Sequence, residues 1–141
     1  MTHSKTLWVL IFATFFLPAC NPGPPTVYTI PGLDSTITAK KISLTKLARS
    51  YNSLHGQFIE TEGTFYYAFE QFAISDERDP ITQYSNEFWL DPNMNLKMDY
   101  NLLDKMDGKH LRVKGMIDTS GRGHLGQYLA TIKRIYFFEV R

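Results

Sequence analysis

The sequence has few of the features that identify a metalloprotein or an enzyme. Its single cysteine, Cys20, has no second cysteine with which to form a disulfide or a C-x-x-C metal motif. His55, His110 and His124 show no H-x-x-x-H spacing, and the G-x-S-x-G nucleophile motif is absent. The sequence therefore predicts no cofactor, no metal site and no catalytic residue.

An excess of one charge is also lacking. The formal net charge is +1, from 15 basic and 14 acidic residues in 141. Proteins that bind nucleic acid usually show a strongly basic patch or stripe, so we expect no nucleic-acid partner. The hydrophobic content of 43% and the charged content of 21% are ordinary for one globular domain.

The apolar run at the N-terminus is too short to span a bilayer. LWVLIFATFFL (residues 7–17) follows Lys5, and a spanning helix needs about 20 residues, whereas a secretory signal needs fewer. The next residues, LPAC, resemble the lipobox of bacterial lipoproteins, which implies cleavage before Cys20 and lipidation of that cysteine. This resemblance implies a lipid-anchored protein of the bacterial cell envelope, and Asn21 rather than aspartate after the cysteine implies delivery to the outer membrane. We expect the domain to face the periplasm. The alternative is an ordinary signal peptide and a free thiol.

Three regions follow from this pattern. Residues 1–19 are the predicted signal peptide, and their removal takes one lysine and no acid, which leaves a neutral chain. Residues 20–41 contain four prolines in NPGPPTVYTIPG, and proline disfavours both helix and central strand. We therefore predict a tether over residues 20–41 and one domain over residues 42–141.

One pattern occurs twice in that domain. Gly56 and Gly63 have the same spacing as Gly108 and Gly115, and a leucine-rich stretch of helical periodicity precedes each pair. The first glycine of each pair fits the left-handed residue that ends a helix, and the second fits a bulge or bend within a strand. Ser43 is the predicted N-cap of the first helix.

Alternating apolar residues predict five strands and a short helix. The strands cover residues 57–69, 72–76, 87–91, 109–118 and 128–140; the helix covers residues 101–107, and residues 77–86 form a loop. On the first strand the inward face is Ile59, Thr61, Phe65, Tyr67 and Phe69. Three strands, a helix and two strands is the order of the OB-fold, a five-stranded Greek-key barrel. The alternative is an antiparallel sandwich.

The stretch GRGHLGQY (residues 121–128) matches the dinucleotide pattern G-x-G-x-x-G, but its context is wrong. In the nucleotide-binding unit the glycines open a helix. Here β-branched and aromatic residues follow, YLATIKRIYFF, which favour a strand. We therefore predict a loop between the fourth and fifth strands and no nucleotide ligand.

Taken together, these motifs are similar to a group of small bacterial lipoproteins and exported proteins with an OB-fold domain. The resemblance covers residues 42–140 and consists of G-x-h-h-x-h-x-G after a leucine helix, FWL, the second glycine pair and GHLGQY. It implies the OB-fold, and it supplies no catalytic residue.

A binding site is predicted from the surplus of aromatic residues. OB-folds bind ligands along the face of the second and third strands and through the loops after the first and fourth strands, and aromatic rings stack on sugars, bases or side chains. We expect Trp89, Tyr66, Arg122 and His124 around the site. The alternative is that most of the aromatic residues fill the core.

The expected function is a lipid-anchored, non-catalytic module that binds a protein or a glycan at the envelope, with the membrane as its second partner. One alternative is a periplasmic inhibitor or immunity lipoprotein that neutralises a toxin enzyme. A hydrolase that uses loop carboxylates is less favoured; its acids would come from Asp76, Glu77, Asp79, Asp91 and Asp99.

Acidic and basic residues are unevenly distributed along the domain. Residues 57–107 have a balance of −8 and residues 108–141 one of +5. We expect this to reflect cross-strand pairs of Glu60 and Glu62 with Arg112 and Lys114. The alternative is a surface of two signs that steers a complementary protein.

Overall fold

The computed structural model of the chain describes residues 23–76, 86–92 and 96–141, and it is mainly β. None of the helices in these ranges has both the length and the apolar character that a bilayer-spanning segment needs. The predicted signal peptide, Cys20 and most of the predicted loop at 77–86 lie outside the described residues. The described strands are β1 (Thr26–Thr29), β2 (Lys40–Lys41), β3 (Phe58–Ala68), β4 (Gln71–Ser75), β5 (Glu87–Leu90), β6 (His110–Asp118) and β7 (Thr131–Val140), and the α-helices are α1 (Leu33–Thr36), α2 (Leu44–Ser50) and α3 (Leu103–Met106).

Five of the strands pair in a cycle. β3 pairs antiparallel with β4 and β4 with β5, β5 pairs in parallel with β7, and β7 returns through β6 to β3 in two antiparallel pairings. β1 adds to β7, and β2 adds to β3 in parallel. All five predicted strands are confirmed, although the last begins at Thr131 rather than at residue 128.

The core consists of side chains from alternate positions of these strands. Ile59, Thr61 and Phe65 of β3 are buried, as predicted, and so are the three predicted residues of β6, Leu111, Val113 and Ile117. The prediction that Phe69 points inward is wrong. β3 ends at Ala68, and Phe69 lies in the turn before β4, where 91% of its surface is exposed.

Helical segments lie at the two ends of β6. Ser43 caps α2 by accepting from the Lys46 amide, as predicted, and a 3-10 turn (Tyr51–Leu54) follows that helix. The Gly56 amide then donates to the Ile117 carbonyl near the end of β6. At the other end, a 3-10 turn (Tyr100–Leu102) leads into α3, and the Gly108 amide donates to the Phe65 carbonyl at 2.8 Å.

The paired glycines fulfil most of their predicted roles. Gly56 and Gly108 follow helical segments with φ of 75° and 71°, which confirms the left-handed positions. Gly115 lies where the register between β6 and β7 shifts, as a bulge requires. Pairing is regular across Gly63, where a side chain would instead collide with Leu44 of α2.

The predicted tether is wrong for residues 26–41, which belong to the fold. β1 pairs with the end of β7, and the Tyr28 ring meets Phe138 edge-on at 6.4 Å. The prolines permit this strand because Pro25 precedes it and Pro31 follows it, and because β1 is an edge strand.

Candidate functional site

Trp89 lies on the outer face of the five-strand cycle. In register it is opposite Ala73 of β4, and Ala73 is opposite Tyr66 of β3, so that the three residues form a row across three strands. Directly paired residues in antiparallel strands share a face. Tyr66 and Trp89 are both half-buried, whereas Ala73 between them is fully buried.

The loop between β6 and β7 packs against Trp89. Its Tyr128 ring lies 5.1 Å from the Trp89 ring, and Gly123 is so close to both rings that no side chain fits there. Arg122 holds the loop closed, because its Nε donates to the Tyr128 carbonyl at 3.0 Å and its carbonyl accepts from the Tyr128 amide. Burial, with a smaller contribution from Glu87, raises the pKa of Tyr128, so this phenol is neutral at physiological pH.

His124 connects the same loop to the turn between β3 and β4. Its Nε2 lies 3.1 Å from Oε2 of Glu70, the turn residue that follows Phe69. Both side chains are partly exposed, so the pair is worth at most about 1 kcal/mol. Its importance is geometric, because it brings two loops together beside Trp89.

An open groove of about 520 Å³ lies at this junction. We call it the aromatic groove; it is lined by residues 67–72, Trp89, Pro92, Tyr100, Leu103 and Asp104. Phe69 is 91% exposed and Tyr100 is 52% exposed, and Leu125, beside His124, is 77% exposed. Isolated exposed apolar residues are common, but a cluster of large ones beside polar groups is typical of binding surfaces.

The structure separates the predicted site residues into different roles. Trp89 lines the aromatic groove, His124 reaches its edge through Glu70, and Arg122 supports the loop backbone. Tyr66 shares a face with Trp89 but does not line the groove. The sequence prediction missed Phe69, Tyr100 and Asp104, and of these only Phe69 had a sequence signal, which is its position between two strands.

The carboxylates suggested for hydrolysis are not paired with one another where the structure describes them. Asp76 accepts from the Asn86 amide at 2.7 Å and from Thr45, whereas Asp91 follows the other end of β5. At about 3.3 Å per residue, the strand places them roughly 16 Å apart, and glycosidase pairs need about 5 to 9.5 Å. Asp99 accepts from Asn101 as a helix cap, and Glu77 and Asp79 lie outside the described residues.

The predicted cross-strand charge pairs are present for Glu60. It lies opposite Lys114 in register, and its carboxylate is 3.5 Å from Lys114 Nζ and 3.7 Å from Arg112 Nη1. Glu62 lies opposite Arg112 but is closest to His110, at 3.7 Å. Since these charges are used within the sheet, they give little support to a two-signed surface that steers a partner protein.

The chemistry of the aromatic groove suits binding. Aromatic faces are available for stacking, while Glu70, Gln71 and Asp104 offer hydrogen-bonding groups at the edge. Within the described ranges no group of three histidine, cysteine or acidic residues is close enough to hold a metal ion.

Comparisons with protein-family models, with curated proteins and with solved structures give no match.

Proposed function

We propose that the five-strand cycle is an OB-fold barrel. Three features support this assignment: the pairing order returns to β3, β5 and β7 pair in parallel, and α3 lies between β5 and β6. β1, β2 and α2 are then additions that precede the first barrel strand. A crystal structure in which β3 and β6 do not pair would contradict the proposal.

We further propose that the domain is held at the bacterial outer membrane through acyl chains on Cys20. The support is the sequence alone: an apolar run of signal-peptide length, LPAC, and asparagine after the cysteine. Two or three acyl chains would make attachment effectively permanent, because burial is worth about 0.8 kcal/mol per methylene. Mass spectrometry of the mature chain should find an acylated Cys20, and Cys20→Ser should release the protein from membranes. An unmodified Cys20 thiol in the mature chain would contradict lipidation and would support the alternative of an ordinary signal peptide.

We propose that the anchored domain binds a protein or a glycan in the aromatic groove and catalyses no reaction. The observation that supports this most is the exposure of Phe69 and Tyr100 in the same groove as Trp89, closed at one edge by Glu70 and His124. Exposed aromatic rings add nothing to the core, whereas stacking on a ligand is worth about 0.5 to 1.5 kcal/mol for each pair of aromatic rings, beyond the area that they bury. The groove has the volume of a typical ligand pocket.

A binding screen on the full chain tests this function. The wild-type protein is applied to a glycan array and to envelope proteins, and each ligand found is titrated against Phe69→Ala, Tyr100→Ala and Trp89→Ala. Each loss of a stacking ring should weaken binding by about tenfold. Phe69→Ala and Tyr100→Ala are the sharper variants, because exposed side chains can be truncated with little effect on stability.

Val27→Ala is the matched control for these variants. Val27 is also exposed, at 48%, but it lies on β1 and does not line the aromatic groove. If Val27→Ala weakens the binding of a ligand equally, or if Phe69→Ala and Tyr100→Ala leave its affinity unchanged, the aromatic groove is not the site. A screen in which neither a protein nor a glycan binds saturably would contradict the function itself.

A further inference from the structure

A second groove, of about 580 Å³, lies between α2 and the edge of β3. Five cations line it, and we call it the basic groove after four of them: Lys40 and Lys41 of β2, and Lys46 and Arg49 of α2. The fifth is Arg112 of β6. It shares no lining residue with the aromatic groove. None of these residues was part of the predicted site.

Local structure fixes where these cations point. Lys46 and Arg49 are three residues apart on α2, so they share one helix face, while Leu44 and Leu47 fill the core on the other. β2 is held beside β3 by parallel backbone pairing, with Lys41 in register with Glu60. All four cations line the same groove.

The two acids of the basic groove, Glu60 and Glu62, form their ion pairs with residues other than these four cations. Glu60 is 3.5 Å from Lys114 and 3.7 Å from Arg112, and Glu62 is 3.7 Å from His110. Across the described part of the chain, the four cations that define the groove form no ion pair, and all four are exposed. With five cations against two acids, the lining has an excess of positive charge, which favours an anion.

The lining also limits the class of anion. Among the described residues that line the groove, Ile42 is the one apolar residue and none carries an aromatic ring on which a base could stack, whereas Ser43 and Ser50 add hydroxyl groups. Phosphate oxygens accept hydrogen bonds readily from lysine and arginine. We propose that the basic groove binds a phosphate group that carries no base: free phosphate or pyrophosphate, or the phosphate of a lipid headgroup. This inference does not depend on the function proposed for the aromatic groove.

NMR titration of the full chain in a non-ionic detergent tests the proposal. Inorganic phosphate and pyrophosphate should shift the backbone amides of residues 40–50 saturably. The double variant Lys46→Glu with Arg49→Glu reverses two exposed cations and should weaken binding by at least about tenfold. Spectra that are unchanged outside the groove would show that this variant is folded.

The matched control is Lys105→Glu with Lys109→Glu. It makes the same change in net charge at exposed positions outside the basic groove, so binding should be unchanged. In a second arm, bicelles containing phosphatidylglycerol replace the free anions. Shifts in residues 40–50 with free anions alone identify free phosphate as the source, and shifts with bicelles identify a headgroup. No saturable shift in either arm, or an equal loss in both double variants, would overturn the proposal.

Discussion

Replacing Gly123 with alanine tests whether the loop between β6 and β7 is locked onto Trp89. Gly123 has φ of 61° and ψ of −158°, a region that is essentially restricted to glycine. An alanine methyl group at this position would lie 2.6 Å from Trp89 Cγ and 2.6 Å from Tyr128 Cδ2. Both atoms belong to rings that are packed against each other, so neither can move away freely.

Two effects of Gly123→Ala add to lower the free energy of unfolding. The backbone strain is worth about 1 to 3 kcal/mol, and overpacking against two rings is worth another 1 to 3, so Gly123→Ala should lower the free energy of unfolding by roughly 2 to 6 kcal/mol. A domain of this size is usually stable by about 5 to 15 kcal/mol. The variant is therefore expected to lose a large fraction of the stability of the domain.

Urea unfolding followed by circular dichroism measures this loss. Gly126→Ala is the control, because Gly126 also has a positive φ, 70°, but has open space where the methyl group would go. It should lose only the cost of a left-handed alanine, about 1 to 2 kcal/mol. If the two variants lose the same stability, the loop is not packed against Trp89 as described.

Two further changes test the frame around the site. A hydrogen bond from Lys133, with others from Ser120, lowers the pKa of Asp118, so Asp118→Asn should lose about 1 to 3 kcal/mol at neutral pH. Because the pKa of Asp118 is lower in the folded state, its ionised carboxylate stabilises the fold above the ordinary aspartate pKa. This contribution to the free energy of unfolding decreases as the pH falls below that value. The difference in the free energy of unfolding between wild type and variant, measured with urea, should therefore be smaller at about pH 3 than at neutral pH. A difference that stays constant would contradict this assignment. Tyr28→Ala removes the ring that packs on Phe138 and should cost about 1 to 3 kcal/mol, whereas its exposed neighbour Val27→Ala should cost almost nothing. Equal urea midpoints for these two variants would show that the packing of Tyr28 on Phe138 adds nothing to stability.

Local patterns in the sequence were sufficient to predict the five strands of the cycle. The alternation of apolar residues predicts β3 and β6, and the glycine that follows each leucine stretch predicts where the helical segments end. The alternation fails at Phe69, since that residue keeps the phase of Tyr67 although the turn has begun. It also misses β1, which is flanked by prolines in the sequence and is held in place by pairing with β7, far away along the chain.

The candidate site was less predictable, because its parts meet only in the folded chain. Trp89 could be proposed from its strand, but the contact of Glu70 with His124 joins two loops that are far apart in sequence. Tyr100 lies in a stretch without periodicity and gives no signal of the groove that it lines. The basic groove was not predictable for the same reason, since β2 and α2 each contribute only two of its cations and meet only in the folded chain.

The pairing of β1 with β7 also determines how the domain would respond to a pulling force. Thr26 starts β1 opposite Val140, which ends β7, so the two outgoing chain ends leave from the same end of one antiparallel ribbon. Tension applied between those ends would break the hydrogen bonds between β1 and β7 one after another, starting at Thr26 and Val140, and would not load all of them at once. The first strand would peel away at low force, while the pairings of β7 with β6 and β5 would not yet bear load.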